Sequence, residues 1–130
     1  MGIDDAEHEE TSPNAQTLLI SKLSCSLVNK SQTITIKPDS LISRIYGQHE
    51  VTERFVCNYG LNPKFKEAIE IKSLKIVGID QEGEVRAIED SDHPFYIGTL
   101  YQPQLSSNPG RPHPLIAAYI KATINNLATT

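Results

Sequence analysis

Apolar residues recur along the chain in short blocks, and the blocks predict alternating strands and helices. Residues 23–28 and 33–37 are predicted strands, and the polar residues 29–32 between them predict a hairpin. Residues 53–59 predict a further strand. Residues 73–80 and 84–89 flank a Gly-containing loop and predict a second hairpin. No block is long enough to predict more than a short strand.

Three helices are predicted from capping residues and periodicity. Asp39 or Ser40 is a suitable N-cap and Gly47 a suitable stop for a helix over residues 41–46. Residues 64–70 follow the turn at residues 60–63 as a second helical segment. The last helix covers residues 113–127, with Pro114 as its first helical residue. Its apolar stripe comprises Leu115, Ile116, Tyr119, Ile120, Thr123, Ile124 and Leu127.

Residues 95–101 are nearly continuously apolar, which predicts a strand covered on both faces. The strand is followed by Gln102 and Gln104, a Pro-rich loop and the last helix. Polar side chains at the carboxyl end of a strand are where α/β domains place their sites. With about six strands and three helices in all, the sequence predicts an α/β fold and places its site at residues 102–104.

Charge divides the chain into an acidic start and a nearly neutral remainder. Of the 16 acidic residues, five lie within the first ten positions, and no Lys or Arg precedes Lys22. Residues 1–15 are therefore interpreted as an acidic loop, and residues 16–130 as a partial domain. Excluding those five acids leaves 12 basic residues against 11 acidic ones, which provides no basic surface for nucleic acid.

Hydropathy, cysteines and histidines limit the membrane partners, the compartment and the cofactors that the sequence allows. No apolar run approaches the roughly 18 residues that a membrane helix needs, so no membrane partner is predicted. Cys25 and Cys57 are far apart with no CxxC pairing, which predicts free, buried thiols in the cytoplasm. The histidines fit no zinc spacing, and neither a metal nor a cofactor is predicted.

The stretch from residue 92 to residue 122 resembles the end of the class I glutamine amidotransferase domain of CTP synthase. In that family the strand ends in His-Pro-Glu, where this chain has Gln102-Pro103-Gln104, and an Arg-Pro-His-Pro-Leu like that at residues 111–115 opens the last helix. Residues 46–47, 52–54, 59 and 62 resemble the family's Glu-Arg-His-Arg-His-Arg-Tyr-Glu-Val-Asn block, and the hairpin around Gly78 and Gly83 is similar too. Residues 57–63 resemble more closely the subfamily described as CTP-synthase C-terminal region-related, in which Gln-Pro-Glu replaces His-Pro-Glu.

The resemblance implies the C-terminal part of a flavodoxin-like, three-layer domain with β-hairpins and a C-terminal helix. It places Gln102 at the position of the catalytic His, Gln104 at that of the Glu, and Asn58 at that of an Arg for the substrate's carboxylate. An amide does not titrate near pH 7, so it cannot serve as a general base. No cysteine has the flanking glycines of a nucleophile elbow. The chain is therefore not expected to hydrolyse glutamine by the usual triad, although it resembles an enzyme domain.

Two explanations of this pattern stay open. In the first, the chain is the C-terminal fragment of a larger protein whose elbow carries selenocysteine, as in some relatives, with its UGA codon misread as a stop. In the second, the chain is a free-standing degenerate domain that acts by binding or assembly. The expected partners are glutamine or another small molecule, and either a missing N-terminal portion or a second chain at exposed sheet edges.

Overall fold

The computed structural model describes residues 3–14, 17–70 and 73–129, with side chains as far as residue 127. These residues form a five-stranded sheet, a three-stranded sheet and three α-helices. The strands are β1 (Glu7–His8), β2 (Leu18–Lys22), β3 (Lys30–Ile36), β4 (Glu50–Phe55), β5 (Tyr59–Leu61), β6 (Leu74–Ile79), β7 (Val85–Asp90) and β8 (Ile97–Thr99). The helices are α1 (Leu41–Tyr46), α2 (Lys66–Ile69) and α3 (Pro114–Thr129), and 3₁₀ turns occupy Pro63–Phe65 and Pro103–Ser106.

The five-stranded sheet has the order β4-β3-β6-β7-β8, and each of its neighbouring pairs is antiparallel. The predicted hairpin of residues 73–80 and 84–89 is confirmed as β6 and β7. The predicted hairpin of residues 23–28 and 33–37 is wrong. Residues 23–28 lie outside the strands. The backbone of β3 is hydrogen-bonded instead by β4 and β6, which both come later in the sequence.

The predicted strand over residues 53–59 is two strands that belong to different sheets. β4 ends at Phe55 in the large sheet, and β5 begins at Tyr59 beside β2 in the small one. Along β4 burial alternates, so that Val51, Glu53 and Phe55 face the core while Thr52 and Arg54 are exposed. This period of two places a carboxyl group among apolar neighbours.

Helix α1 is confirmed at the predicted residues. The Ser40 side chain accepts a hydrogen bond from the Ser43 amide, and Gly47 ends the helix at φ 70°, a conformation that glycine adopts without penalty. No acidic residue lies in the helix's own first turn. The carboxylate of Glu89, from β7, accepts instead from the amides of Leu41 and Ile42, at 3.1 Å each. The N-terminus of α1 is thus fixed to the sheet.

Two apolar clusters lie on opposite faces of the large sheet, because neighbouring residues of a strand point to opposite sides. Val77 packs in the larger cluster, with the helices α1 and α3, whereas Ile76 packs in the smaller cluster, with the three-stranded sheet and α2. The fold therefore has three layers, and the mixed α/β prediction is confirmed. The fully buried side chains of the larger cluster are Ile34, Ile36, Ile42, Phe55 and Tyr101.

The acidic N-terminal segment contains structure that its composition does not predict. Glu7 and His8 form β1, which runs parallel to β2, and Ile3 packs against the smaller cluster. The predicted domain boundary at residues 15 and 16 lies outside the described residues and stays a prediction.

The C-terminal strand and helix are shorter or more exposed than predicted. β8 covers only three residues, all half-buried, so the expectation of a strand covered on both faces is wrong. Helix α3 begins at Pro114 as predicted, but beyond Leu115 most of its apolar stripe is exposed. Tyr119, Ile120 and Ile124 retain 58, 53 and 60% of their accessible surface. Helical periodicity identified the stripe correctly without showing whether anything covers it.

Candidate functional site

Gln102 and Gln104 lie where the chain leaves β8 and enters the 3₁₀ turn Pro103–Ser106. The side-chain Nε2 of Gln104 donates a hydrogen bond to Oε1 of Gln102 at 2.8 Å, so the two amides are paired with each other. Gln102 is half-buried and Gln104 is exposed. Pro103, with its fixed φ, starts the turn and brings the two side chains to the same side.

The turn that carries the two glutamines is held against β4. The amide of Gln102 donates to the carbonyl of Arg54 at 3.0 Å, and Nη1 of Arg54 donates to the carbonyl of Leu105 at 3.4 Å. Further along, the amide of His113 donates to the Ser107 hydroxyl at 3.0 Å. The position of the glutamine pair is therefore fixed from β4 on one side and from the start of α3 on the other.

A buried polar cluster lies beneath this turn. Nε2 of His113 and Oε1 of Glu53 are 2.6 Å apart, and both side chains are less than 5% exposed. The Tyr46 hydroxyl donates to the same Glu53 oxygen at 2.9 Å and lies 3.0 Å from the Tyr101 hydroxyl. The second oxygen, Oε2 of Glu53, is buried without a hydrogen-bond partner. The cluster joins α1, β4, the end of β8 and the start of α3.

Both tyrosines of this cluster are held in the protonated form. Burial, followed by the neighbouring Tyr101 hydroxyl and Glu53, raises the pKa of Tyr46 far above its usual value. Burial and Glu53 also raise the pKa of Tyr101, although its contact with Tyr46 acts in the opposite direction. The hydroxyls therefore act as fixed hydrogen-bonding groups rather than as proton carriers near neutral pH.

Nδ1 of His113 accepts a hydrogen bond from the amide of Leu115 at 3.1 Å. A nitrogen that accepts has no proton of its own, so the proton of the neutral ring lies on Nε2, which faces Glu53. The imidazole thus caps the first turn of α3 through one nitrogen and bonds Glu53 through the other. Its role in this arrangement is to join the helix to the sheet.

Asn58 occupies the link between β4 and β5 and is exposed, with its carbonyl accepting from the Leu23 amide. In the described part of the chain, it shares no hydrogen bond with Gln102 or Gln104. The structure therefore brings together the two glutamines but does not join Asn58 to them. The roles predicted for these three residues stay predictions.

The two cysteines differ in environment. Both are free, as predicted, but Cys25 is exposed, so the prediction that it is buried is wrong. It lies in the loop that follows β2. Cys57 packs against the larger cluster and its thiol lies 3.3 Å from the Leu100 carbonyl, to which it donates. Burial raises the pKa of the Cys57 thiol, which lowers its thiolate fraction.

Two further groups of polar residues lie at turns. Asp90 ends β7, and Asp92 and His93 lie in the turn that follows it, in which the Asp92 amide donates to Asp90 and the Phe95 amide donates to Nδ1 of His93. The hydrogen bond to Ser73 lowers the pKa of Asp90. Arg111 is exposed in a turn closed by paired backbone bonds with Asn108.

Over residues 3–14, 17–70 and 73–129, no three His, Cys, Asp or Glu side chains form a group that could hold a metal ion. Within the same ranges, no helix is both long enough and apolar enough to cross a bilayer. The chemistry that the glutamine pair offers is hydrogen bonding to polar groups, since each amide both donates and accepts.

Sequence reasoning missed the buried cluster. Glu53 and His113 are 60 residues apart, and nothing in either neighbourhood indicates that the two side chains meet. One signal was present: Glu53 lies between Val51 and Phe55 on the inward face of β4, and a carboxyl group buried among apolar residues has to find a partner. That signal predicts a partner without identifying it.

No family model matches the chain. Its sequence is 40% identical over 90 residues to the CTP synthase of Brucella ovis, a match that covers 68% of this chain and 17% of the relative. The CTP synthase of Mesoplasma florum is 39% identical over 93 residues, covering 71% of this chain and 18% of the relative. The chain thus spans about a sixth of the length of the CTP synthases that it matches.

The fold has a counterpart among solved structures. The glutaminase domain of Trypanosoma brucei CTPS, solved with bound acivicin, superposes with a TM-score of 0.87 at 20% sequence identity. The match covers 95% of this chain and 52% of that domain's chain. The resemblance to a class I glutamine amidotransferase domain of the CTP synthase type is therefore confirmed in both sequence and fold.

Proposed function

We propose that the chain is a noncanonical CTP-synthase-like glutamine amidotransferase segment that does not hydrolyse glutamine on its own. The observation that supports this most directly is the 2.8 Å hydrogen bond between Gln104 and Gln102. Glutamine hydrolysis by a cysteine thioester needs a general base that takes the thiol proton and returns it. Two amides bonded to each other do not titrate near neutral pH and cannot perform that transfer.

The cysteines support the same conclusion. Cys57 packs against the core, and the raised pKa of its thiol opposes thiolate formation. Cys25 is exposed in a loop, without a strand-to-helix elbow that would hold it against an oxyanion site. Neither residue combines exposure with the activation that a nucleophile requires.

The test is ammonia release from glutamine by the purified chain, with the Brucella ovis CTP synthase as a positive control. We expect the chain to release ammonia no faster than buffer. Turnover that is lost in Cys25→Ser or Cys57→Ser would refute the proposal, because it would identify a working nucleophile.

A binding or assembly module is the second candidate, and the exposed stripe of α3 together with the only partly buried β8 favours it. We propose glutamine as the small molecule for the amide pair, in a cytoplasmic protein of pyrimidine nucleotide biosynthesis, because the relatives are CTP synthases. The CTP-synthase C-terminal region-related subfamily is the proposed affiliation within that group.

Titration calorimetry with glutamine separates a module that binds a ligand from one that acts only through assembly. Glutamine binding that Gln104→Ala weakens, and that the exposed control Lys121→Ala leaves unchanged, supports a retained ligand site. Absence of heat with the native chain favours the module that acts only through assembly.

A further inference from the structure

A polar cavity of about 280 Å³ lies between the loop that follows β2 and the loop that joins β6 to β7. Its charged lining residues are Lys22, Asp80, Glu82, Glu84 and Arg86, and neither glutamine of the amide pair lines it. Pockets for drug-sized ligands have volumes of about 300 to 1,000 Å³, so this cavity suits a smaller molecule. We call it the loop cavity.

Arg86 is buried in the wall of the loop cavity and has donor groups to spare. Its side chain is 6% exposed. Nε donates to Oε1 of Gln32 at 3.1 Å, Nη1 to the Val85 carbonyl at 3.1 Å, and Nη2 to Oδ2 of Asp80 at 3.0 Å. A guanidinium has five N–H groups, so one on each terminal nitrogen has no acceptor among the residues that the structure describes. Only solvent or a ligand can satisfy these two donors.

Asp80 cannot supply the missing acceptors, because its carboxylate is already fully bonded. Its Oδ1 accepts from the amides of Glu82 and Glu84 at 2.9 Å each. Its Oδ2 accepts from Arg86 at 3.0 Å and from Nε2 of Gln32 at 3.4 Å. These bonds use the roughly four lone-pair sites of a carboxylate. They also fix the guanidinium and the β6–β7 loop in place, and a preorganised site loses less conformational freedom when a ligand binds.

The other charges of the loop cavity decide the charge of its ligand. Within the described ranges, the side chains of Lys22, Glu82 and Glu84 have no ion-pair partner, whereas Arg86 and Asp80 neutralise each other. One negative charge is therefore in excess, which opposes a ligand that is only an anion. A ligand that is only a cation would leave the two guanidinium donors unsatisfied. A molecule with both a carboxylate and an ammonium group matches both sets of charges.

The cavity also has an apolar wall, which consists of Leu23, Leu27 and Leu61. Leu27 is 5% exposed and belongs to the larger apolar cluster, so this part of the wall is packed from behind. Apolar surface in a binding site favours a ligand that buries hydrocarbon against it. The third part of the ligand is therefore an aliphatic group.

We propose that the loop cavity binds a small zwitterion with an aliphatic side chain, an α-amino acid of the size of leucine. Its carboxylate accepts from the two free N–H groups of Arg86, with Lys22 as a second positive charge, and its ammonium group lies towards Glu82 and Glu84. The inference goes beyond the proposed function and does not depend on it, because it requires neither hydrolysis nor the amide pair.

Titration calorimetry with L-leucine and two analogues tests the ligand chemistry. Leucinamide has no carboxylate, and 4-methylpentanoate has no ammonium group, but both keep the aliphatic side chain. We expect leucine to bind at one to one and each analogue to bind at least tenfold more weakly, since each loses a charge-assisted hydrogen bond. No binding of leucine at millimolar concentration, or equal affinity for all three compounds, would overturn the proposal.

Glutamine as a competitor tests the aliphatic part of the assignment. Its side-chain amide would lose hydrogen bonds to water against the leucine wall, so we expect it to bind the loop cavity at least tenfold more weakly than leucine. Displacement of leucine by an equal concentration of glutamine would contradict the assignment. The ammonia assay of the proposed function is unaffected by either result.

Two charge-removing variants at the cavity have matched controls elsewhere on the surface. Lys22→Gln and Glu84→Gln each remove a charge that has no partner in the described part of the chain, so folding should be unaffected. Each should weaken leucine binding by about threefold, whereas Lys121→Gln and Glu50→Gln should leave it unchanged. Native affinity in both cavity variants would overturn the proposal.

Arg86→Lys keeps the charge beside Asp80 but has no planar pair of donors, and it should weaken leucine binding at least tenfold. Should this variant not fold, the two charge-removing variants test the site without it. Native affinity in folded Arg86→Lys would contradict the role of the guanidinium.

Cys25 reports where the ligand binds, because it lines the loop cavity and Cys57 does not. Saturating leucine should slow the reaction of Cys25 with a thiol reagent at least threefold and leave the rate of Cys57 unchanged. Leucine that binds without protecting Cys25 would lie elsewhere on the chain, and this result would overturn the proposal.

Discussion

The two edge strands of the five-stranded sheet, β4 and β8, differ in what covers them. β4 has the 3₁₀ turn Pro103–Ser106 against it, with the Arg54 carbonyl accepting from the Gln102 amide, and its inward side chains reach the fully buried core. β8 has half-buried residues and apolar grooves on both faces. β4 alternates apolar and polar residues and β8 contains one large apolar residue, so the sequence pattern of a strand does not by itself distinguish a surface that the chain covers from one that it exposes.

The largest expected effect concerns the polar cluster on the β4 side. His113→Ala removes one partner of a buried pair and leaves a Glu53 carboxyl group whose second oxygen already lacks a partner. We expect a loss of about 3 to 5 kcal/mol in the free energy of unfolding, measured in urea. Arg111→Ala, in the exposed turn just before α3, is the control and should change stability by less than about 0.5 kcal/mol. Equal losses of stability in His113→Ala and Arg111→Ala would contradict the difference in burial between these two residues.

A matched pair of isoleucines tests the two sides directly. Ile34 is completely buried in β3, next to β4, whereas Ile124 is 60% exposed on α3. Ile34→Ala should cost roughly 2 to 5 kcal/mol of stability, because it leaves a cavity in a packed core. Ile124→Ala should cost less than about 0.5 kcal/mol in the chain alone. If the two substitutions destabilise the chain equally, the α3 stripe is covered in solution and the comparison fails.

A smaller effect, of about 1 kcal/mol at neutral pH, is expected for Tyr46→Phe, which removes the hydrogen bond to Glu53. The raised pKa of Tyr46 in the folded chain means that the folded state holds the phenol proton more tightly than the unfolded state. Its contribution is therefore complete below about pH 10 and declines as the pH rises above that value. Urea unfolding between pH 8 and pH 11 should show a steeper loss of stability in the native chain than in Tyr46→Phe. Parallel curves would contradict the buried environment assigned to this hydroxyl.

The smallest change involves reactivity rather than stability. Cys25 is exposed, whereas Cys57 packs against the core and burial raises the pKa of its thiol. A thiol reagent at pH 8 should modify Cys25 at least tenfold faster than Cys57. The single variants Cys25→Ser and Cys57→Ser assign each rate to its residue. Faster modification of Cys57 would indicate that the core side opens more readily than the structure implies.

Local signals predicted the elements that are determined locally. Ser40 and Gly47 lie at the two ends of the six-residue helix α1, and the Gly83 loop joins two strands that pair with each other. The false hairpin at residues 23–28 and 33–37 shows where this reasoning fails, because β3 finds its partners in β4 and β6. The strand pairing of a chain depends on which distant backbone groups are left to satisfy, and no short window contains that information.

The candidate site was predictable in part. Gln102 and Gln104 were placed correctly at the end of a strand, since their position follows from the resemblance and from the turn chemistry of Pro103. Their mutual hydrogen bond depends on the rotamers that the turn permits. The cluster of Glu53 and His113 depends on contacts across 60 residues. Exposure of Ile124 could not be predicted, because helical periodicity is the same whether or not a partner covers the stripe.

The bond from Glu89 to the start of α1 has a consequence for cooperativity. A helix of six residues is too short to persist in water by itself, and its first amides are satisfied by a carboxylate that belongs to β7, 47 and 48 residues away. Helix α1 can therefore exist only while the β6–β7 hairpin is in place. The helical and sheet signals of this part of the chain should disappear in a single transition, as one folding unit rather than two.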